Sequence, residues 1–295
     1  YLEGAMLTYL RRKGLVAQNK PADRRERMEA LKESGSEKFI GAYVKDPIVG
    51  KYDWIYDLDL TSLYPSIIMT LNISPEAKIG KVNDWDANKF MKGEVDTYYI
   101  GEDEITKENL KEYLEKSKFS IASNGVLYRT DKVGCIPGIL NLWFDQRVEY
   151  KNEMKKYGKA GNKEKYAFFH KRQLVQKILL NSLYGVLGLP AFRFYDVDNA
   201  TAVTTTGQTV IKSTADMANI KYNKELGDPD LDSNIYIDTD SVFFSAVPLM
   251  DKRTPNWKDE EQDTIAGYVN VIAEEMQDYL NDFYEDMQRW SFALQ

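Results

Sequence analysis

The chain has 295 residues, 43% of them hydrophobic and 29% charged, with a net charge of −7. That balance excludes a disordered chain and allows one large core or two modest ones. Its most apolar stretch, Ile178 to Phe192, is broken by Asn181, Ser182, Gly185, Gly188 and Pro190, so no run reaches the ~18–20 apolar residues of a membrane helix. A single cysteine, Cys135, excludes an internal disulfide and suggests a reducing compartment; without a partner base it reads as a small buried residue. The first residue is Tyr1 and no signal-peptide pattern follows it, which suggests a piece of a longer protein. The charge is unevenly spread. Residues 147 to 177 hold ten Lys or Arg and three Glu, a local +7, so the remainder carries −14. Such a pattern suits a chain that grips phosphates in one place and metal ions in another, and equally a solvated helical hairpin.

In chain order, Tyr1 to Lys13 reads as a short helix, and Asn19 to Glu37 as a polar helix between linkers. Gly41 to Asp59 carries β-formers broken by Pro47 and Gly50, which predicts two strands and a turn. A helix follows over Ser62 to Leu71, with Pro65 in its first turn. Residues 80 to 118 are acidic and read as an irregular peripheral excursion. Ser120 to Ile136 alternates around Asn124–Gly125, a hairpin signal. Pro137 opens a helix to about Tyr157, Gly158 to Gly161 turns the chain, and a second helix runs from about Asn162 to Leu187, so the basic segment lies on a helical hairpin. Asn199 to Tyr222 is a further helix rich in small residues. Ile235–Ile237 and Val242–Phe244 bracket Asp238–Thr239–Asp240–Ser241, a buried hairpin with carboxylates at its tip. Apolar residues from Ile265 to Trp290 recur at three- and four-residue steps, one amphipathic helix.

Asp59 ends a β run, and Asp238 and Asp240 sit two apart at the hairpin tip, where extended backbone sends both to one side. Crowded carboxylates repel one another and call for a cation. Hard oxygen donors without nearby His or Cys suggest magnesium, and a pair of such ions can activate an attacking hydroxyl and stabilise a leaving phosphate oxygen. Aspartates are also ordinary turn residues; the apolar runs on both sides argue for a purpose. Asp57 shares the face of Asp59 and reads as a supporting or solvent-facing residue. His170, the only histidine, reads as exposed.

Three segments carry a resemblance. Asp59–Leu60–Thr61–Ser62–Leu63–Tyr64–Pro65–Ser66–Ile67–Ile68, Lys177–Ile178–Leu179–Leu180–Asn181–Ser182–Leu183–Tyr184–Gly185 and Tyr236–Ile237–Asp238–Thr239–Asp240–Ser241 resemble, in order, the three polymerase motifs of family B DNA polymerases. The flanking Asn72–Ile73–Ser74–Pro75–Glu76 and Asn199–Ala200–Thr201–Ala202 are similar to the T-even bacteriophage branch of that family, the replicative polymerases. The resemblance implies an α/β (α+β) fold, with a mostly antiparallel palm sheet backed by helices and an inserted two-helix fingers hairpin. It divides the chain into palm at 1–133, fingers at 134–188 and palm again at 189–295, without the thumb or exonuclease domain.

By position, Asp59 and Asp240 resemble the carboxylates that hold two Mg²⁺ ions, Asp238 resembles the third, and Leu60 would offer its carbonyl to a metal. Ser62 and Leu63 would give backbone N–H groups to the triphosphate at a helix start. Lys177 and Asn181, one turn apart on one helix face, with Tyr184 beyond them, resemble the nucleotide-facing residues of the fingers. Lys177 would neutralise the leaving group or protonate it. Arg147 and Lys151 repeat the spacing on the partner helix and resemble the triphosphate clamp. Tyr64, on periodicity alone a core aromatic, is by resemblance the gate whose ring excludes a ribose 2′-hydroxyl. Phe39–Ile40–Gly41–Ala42 stands where the family has a template-contacting Tyr-x-Gly-Gly or Tyr-x-Gly-Ala; the ring is kept and the hydroxyl lost.

The implied activity is DNA-directed DNA polymerase, a nucleotidyltransferase of DNA replication with primer–template DNA and deoxynucleoside triphosphates as partners. The implied location is cytoplasmic, in the host if the source is a virus, with no membrane contact, and a sliding clamp would be met through regions outside this chain. The only Asp-x-Glu, Asp259–Glu260–Glu261, lies in a polar run without strand character and does not resemble an exonuclease motif. Two rival readings remain: a nucleotide- or DNA-binding fragment without synthesis, and a metal-dependent nuclease using the same carboxylates.

Overall fold

The computed structural model describes residues 1–17, 19 and 41–290, with the side chains of 286–290 outside the description. The helix expected within Asn19 to Glu37, and the Phe39–Ile40 half of the template-contacting segment, lie outside the described residues. The chain forms two compact units, one of residues 1–41 and 64–205, the other of residues 42–63 and 206–295. All strand pairs are antiparallel, and the fold is mixed α and β. Among the described residues no helix is long and apolar enough to cross a membrane.

The second unit is built on a four-stranded sheet. β1 (Val44–Lys45) and β2 (Ile55–Asp59) flank the hairpin of β8 (Asn234–Asp238) and β9 (Ser241–Ser245), in the order β1-β8-β9-β2. Tyr56 of β2 turns inward while Ile55, Asp57 and Asp59 stay exposed, the alternation a half-buried strand requires. Phe244, fully buried, stacks with Tyr56 at 6.0 Å and with Tyr222 at 5.6 Å between ring centroids. The small residues of helix α7 (Val197–Leu226) now have a reason: Ile211, Ala215, Ala218 and Tyr222, at steps of three and four, are buried in this core. Ile265, Val269, Ile272, Met276 and Leu280 of α9 (Gln262–Trp290) join it as the expected amphipathic stripe. The short α8 (Val247–Arg253) adds Leu249 and Met250.

The first unit opens with α1 (Leu2–Arg12), whose Tyr9 hydroxyl lies where a Cβ on Gly138 would sit, 2.3 Å away, so only glycine permits that approach. After β2 comes α2 (Leu63–Leu71), one residue shorter than expected. Ser62 has a φ of 59°, in the left-handed region, and turns the chain instead of starting the helix. A three-stranded sheet follows, β3 (Lys78–Lys81), β7 (Val126–Arg129) and β6 (Phe119–Ile121) in that order, with β6 and β7 joined by the predicted turn and Gly125 at a φ of 83°.

Residues 80 to 118 are not irregular. They hold α3 (Ala87–Lys92), the hairpin β4 (Thr97–Ile100) with β5 (Asp103–Thr106), and α4 (Lys107–Ser117). Trp85 packs against Phe90 and Tyr98 at 5.2 and 5.1 Å, and Leu110 and Leu114 are fully buried. Three of the four elements have only four to six residues, too short for their periodicity to register, and in the eleven-residue α4 the two buried leucines are hidden among charged residues.

Two long helices close the unit: α5 (Cys135–Lys159) and α6 (Lys163–Leu187). Both begin and end within two residues of the expected points. Gly161, at a φ of 68°, makes the turn, and the Asn162 side chain caps α6 by accepting from the Lys165 N–H at 3.0 Å. The helices pack antiparallel through Tyr157 stacked on Phe169 at 5.6 Å and through the Gln176 amide donating to Gln146 at 2.8 Å.

Candidate active site

Strand register gathers the acidic residues of the second unit. Asp59 pairs with Ser241 across β2 and β9, and Ser241 pairs with Asp238 across β9 and β8, so the three lie abreast at one end of the sheet. Between them the turn is closed by the Asp240 N–H donating to the Asp238 carbonyl at 2.6 Å, with Thr239 at a φ of 57°. The Leu60 N–H donates to the Asp240 carbonyl at 2.8 Å, which ties the hairpin tip to the segment leaving β2. Asp238 and Asp240 therefore straddle a turn. The extended backbone expected to send both to one side is absent, and they are not equivalent: Asp238 is exposed and accepts from the Thr239 hydroxyl at 2.9 Å, whereas Asp240 is half-buried.

Asp240 and Asp59 act on each other. The Asp240 carboxyl is held above the usual carboxylate range, first by burial, then by the charge of Asp59, and last by Asp238. Among the described residues Asp59 receives two long hydroxyl bonds, from Thr61 and Ser241, both at 3.4 Å. Among the described residues no lysine or arginine pairs with any of the three. Nor do three or more acidic, histidine or cysteine side chains converge as a ready metal cluster among the described residues. The tip is thus an uncompensated pair of carboxylates with the Leu60 backbone beside it, an oxygen donor set that fits a hard divalent cation. Asp57 is exposed on the same face of β2 as Asp59.

Of the two amides expected to face a triphosphate, the Leu63 N–H donates to the Leu60 carbonyl at 3.1 Å and is used within the turn. Among the described residues the Ser62 N–H gives no backbone bond.

The basic candidates lie in the first unit. The Gln146–Gln176 bond sets the register of α5 and α6, so their sequence neighbours Arg147 and Lys177 stand at nearly one level of the hairpin. Lys151, Lys177 and Asn181 are exposed. Arg147 is half-buried, and among the described residues its buried Nε has no partner, a donor aimed at nothing the chain itself supplies. Tyr64 and Tyr184, from the first and second motifs, pack ring on ring at 4.4 Å and 47°. Burial, with Tyr64 alongside, pushes the Tyr184 phenol well above its ordinary pKa, so it stays protonated. His170 is exposed, as expected.

The segment Asn72–Ile73–Ser74–Pro75–Glu76, whose residue types announce no task, holds the start of α5. Asn72, at a φ of 57°, donates to the carbonyls of Arg129 and Lys132 at 2.6 and 2.8 Å and accepts from the Gly134 N–H at 2.8 Å. The Cys135 N–H donates to Glu76, and the Ile136 N–H to the Ser74 hydroxyl at 3.3 Å. A carboxylate and a hydroxyl at a helix start satisfy its orphan donors. The Cys135 thiol, buried beside Glu76, is pushed up to about 12 and is inert, as expected of a packing residue.

The family profile described as DNA polymerase family B matches residues 2–254. The chain belongs to this family. It is 29% identical over 267 residues to the DNA-directed DNA polymerase of Escherichia phage RB69, covering 72% of this chain and 27% of that protein. The corresponding enzyme of Enterobacteria phage T4 is 28% identical over 305 residues, 83% of this chain and 32% of that protein. DNA polymerase 1 of Pyrococcus abyssi is 30% identical over 260 residues, 86% and 26%. Among solved structures, the family B DNA polymerase of Pyrobaculum calidifontis superposes with a TM-score of 0.54 at 25% identity, over 85% of this chain and 28% of that one. This family B chain thus spans about a quarter to a third of the length of these relatives.

Proposed function

We propose that this family B chain is the palm (1–133 and 189–295) and fingers (134–188) of a template-directed DNA polymerase. The reaction is attack of a primer 3′-hydroxyl on the α-phosphate of a deoxynucleoside triphosphate, with release of pyrophosphate. The observation that carries the reading is the Asp59–Asp240 pair. One carboxylate ends β2 and the other sits in the adjoining turn, each charge opposes the other, and among the described residues no basic side chain relieves them.

Asp59 and Asp240, with the Leu60 carbonyl, would hold two Mg²⁺ ions, and Asp238 would support them from the exposed side of the turn. When bound there, such ions would supply Lewis acidity to the phosphoryl transfer. The chain's own residues do the rest by positioning and neutralising charge. Arg147 and Lys151 would grip the triphosphate, the Arg147 Nε gaining the partner it lacks. Lys177 and Asn181, exposed on one face of α6, would meet the leaving phosphates, Lys177 holding a proton at its Nζ for the departing oxygen. Tyr64, backed by Tyr184, would set the wall of the sugar pocket, and the Ser62 N–H would meet a phosphate oxygen. Primer–template DNA is the implied partner.

The test is a labelled primer–template in Mg²⁺, with and without triphosphates. Lengthening only with triphosphates supports the reading. Shortening without them, whatever the triphosphate supply, would make the same carboxylates those of a nuclease.

A further inference from the structure

The basic hairpin holds more cations than a triphosphate needs. Between residues 152 and 176 stand seven Lys or Arg and two Glu, all outside the Arg147, Lys151, Lys177 set. Their charge is not spent inside the chain. Among the described residues Lys156 alone of the seven makes a salt bridge, to Glu153 at 3.2 Å, and Lys165 and Arg172 lie over aromatic rings.

The arrangement on α6 is more specific than a charge run. Lys163, Tyr166, His170, Gln173, Lys177, Asn181 and Tyr184 follow at steps of three and four, so one helix face carries them all. The nucleotide-facing residues at its inner end therefore continue outward into an aromatic and cationic stripe. At 1.5 Å per residue, His170 lies about 10 Å and Tyr166 about 16 Å beyond Lys177, too far to touch the same triphosphate. Tyr166 and His170 stack at 6.0 Å and 10°, and Tyr166 remains 41% exposed. A Cβ on Gly158 would lie 3.3 Å from the Tyr166 ring, so this glycine lets the ring rest on α5. Beside Gly158, Lys155, Lys156 and Lys159 line an open hollow of about 560 Å³.

We propose that this outer stripe is a track for single-stranded polynucleotide: unpaired bases stack on Tyr166 and His170, and their phosphates lie along Lys155, Lys159 and Lys163. Stacked planar rings flanked by lysines are the recognition chemistry of unpaired nucleic acid. Duplex hides its base faces, and an acidic protein has no use for the exposed planes. The inference deepens the polymerase reading by naming a strand contact outside the active site. It rests on that reading only for which strand is held.

The test is fluorescence anisotropy with a labelled oligothymidylate, in chelator and without triphosphate, so that metal and nucleotide take no part. The parent is expected to bind oligothymidylate more tightly than a duplex of equal length. Tyr166→Ala with His170→Ala should weaken binding about tenfold and leave the salt dependence unchanged. The triple variant K155E/K159E/K163E should weaken binding and flatten the salt slope, by about 0.7 for each phosphate no longer neutralised. G158L, which displaces the ring without removing it, should mimic the aromatic variant. Circular dichroism would show each variant folded. Equal binding of parent and aromatic variant would overturn the proposal in favour of a bare electrostatic or acidic-protein surface. So would no binding by the parent, or equal affinity for duplex. Primer extension that fails while oligothymidylate binding persists would sink the polymerase reading and leave the track standing.

Discussion

Asp240→Asn should make the protein more stable while removing its activity. The folded protein holds the Asp240 carboxyl above its ordinary pKa, through burial and the neighbouring Asp59. For such a group the stabilising contribution is complete below the unfolded carboxylate pKa and is lost as pH rises through the folded one. As pH rises through that folded value the carboxylate charges, and the folded chain then carries the repulsion of Asp59. Two like unit charges in close contact, ~4 Å, repel by roughly 1 kcal/mol in water and roughly 4 kcal/mol at an effective dielectric of 20. Asp240 is half exposed, so screening puts the value near the lower figure. Asparagine keeps the shape without the charge. In chelator at pH 7, D240N should therefore unfold about 2 °C higher than the parent, and the advantage should shrink as pH falls towards 4. Added Mg²⁺ should raise the parent's Tm and leave the variant's nearly unmoved. Differential scanning calorimetry reads both. A variant less stable than the parent in chelator, or an equal magnesium response in the two, would refute the idea that these carboxylates are an uncompensated cation site.

Three further outcomes follow from other parts of the molecule. Tyr64→Ala should let ribonucleotides in, lowering discrimination between the two sugars at least tenfold, about 1.4 kcal/mol; single-nucleotide incorporation with each triphosphate measures it, and unchanged discrimination would remove Tyr64 from the sugar pocket. Phe244→Ala should cost about 3–5 kcal/mol, because the ring is fully buried and stacks with Tyr56 and Tyr222; urea denaturation checks it, with a loss under about 1 kcal/mol contradicting the core described. Asn72→Ala should cost about 2–3 kcal/mol, since it strands two carbonyls and the Gly134 N–H; hydrogen exchange should rise first at Gly134, Cys135 and Ile136.

Much of the fold is legible in the sequence because its signals are long or sharply punctuated. The α5–α6 hairpin, the α9 stripe and the β8–β9 hairpin each have either many periodic residues or apolar runs around a polar tip. The mostly antiparallel α/β architecture is implied by the resemblance to family B polymerases, not by these signals alone. Residues 80 to 118 are not legible: their core is an aromatic trio and two leucines scattered among short elements under an acidic surface. The local geometry of the carboxylates is also hidden. Asp-x-Asp spacing does not tell a strand from a turn; here Thr239 has a positive φ between an exposed Asp238 and a half-buried Asp240. Ser62 escapes sequence reasoning for the same reason, a left-handed residue that its identity does not betray. The service of Asn72, Ser74 and Glu76 to the start of α5 reaches across 59 to 62 residues of sequence, beyond any local pattern.

The most direct test of the account is single-turnover incorporation on four primer–templates that differ only in the templating base, each offered one triphosphate at a time in Mg²⁺, with the parent and D240N side by side. The account expects the parent to add only the complementary nucleotide in each case and D240N to add none while remaining folded. Addition that ignores the templating base, or that survives in D240N, would contradict it.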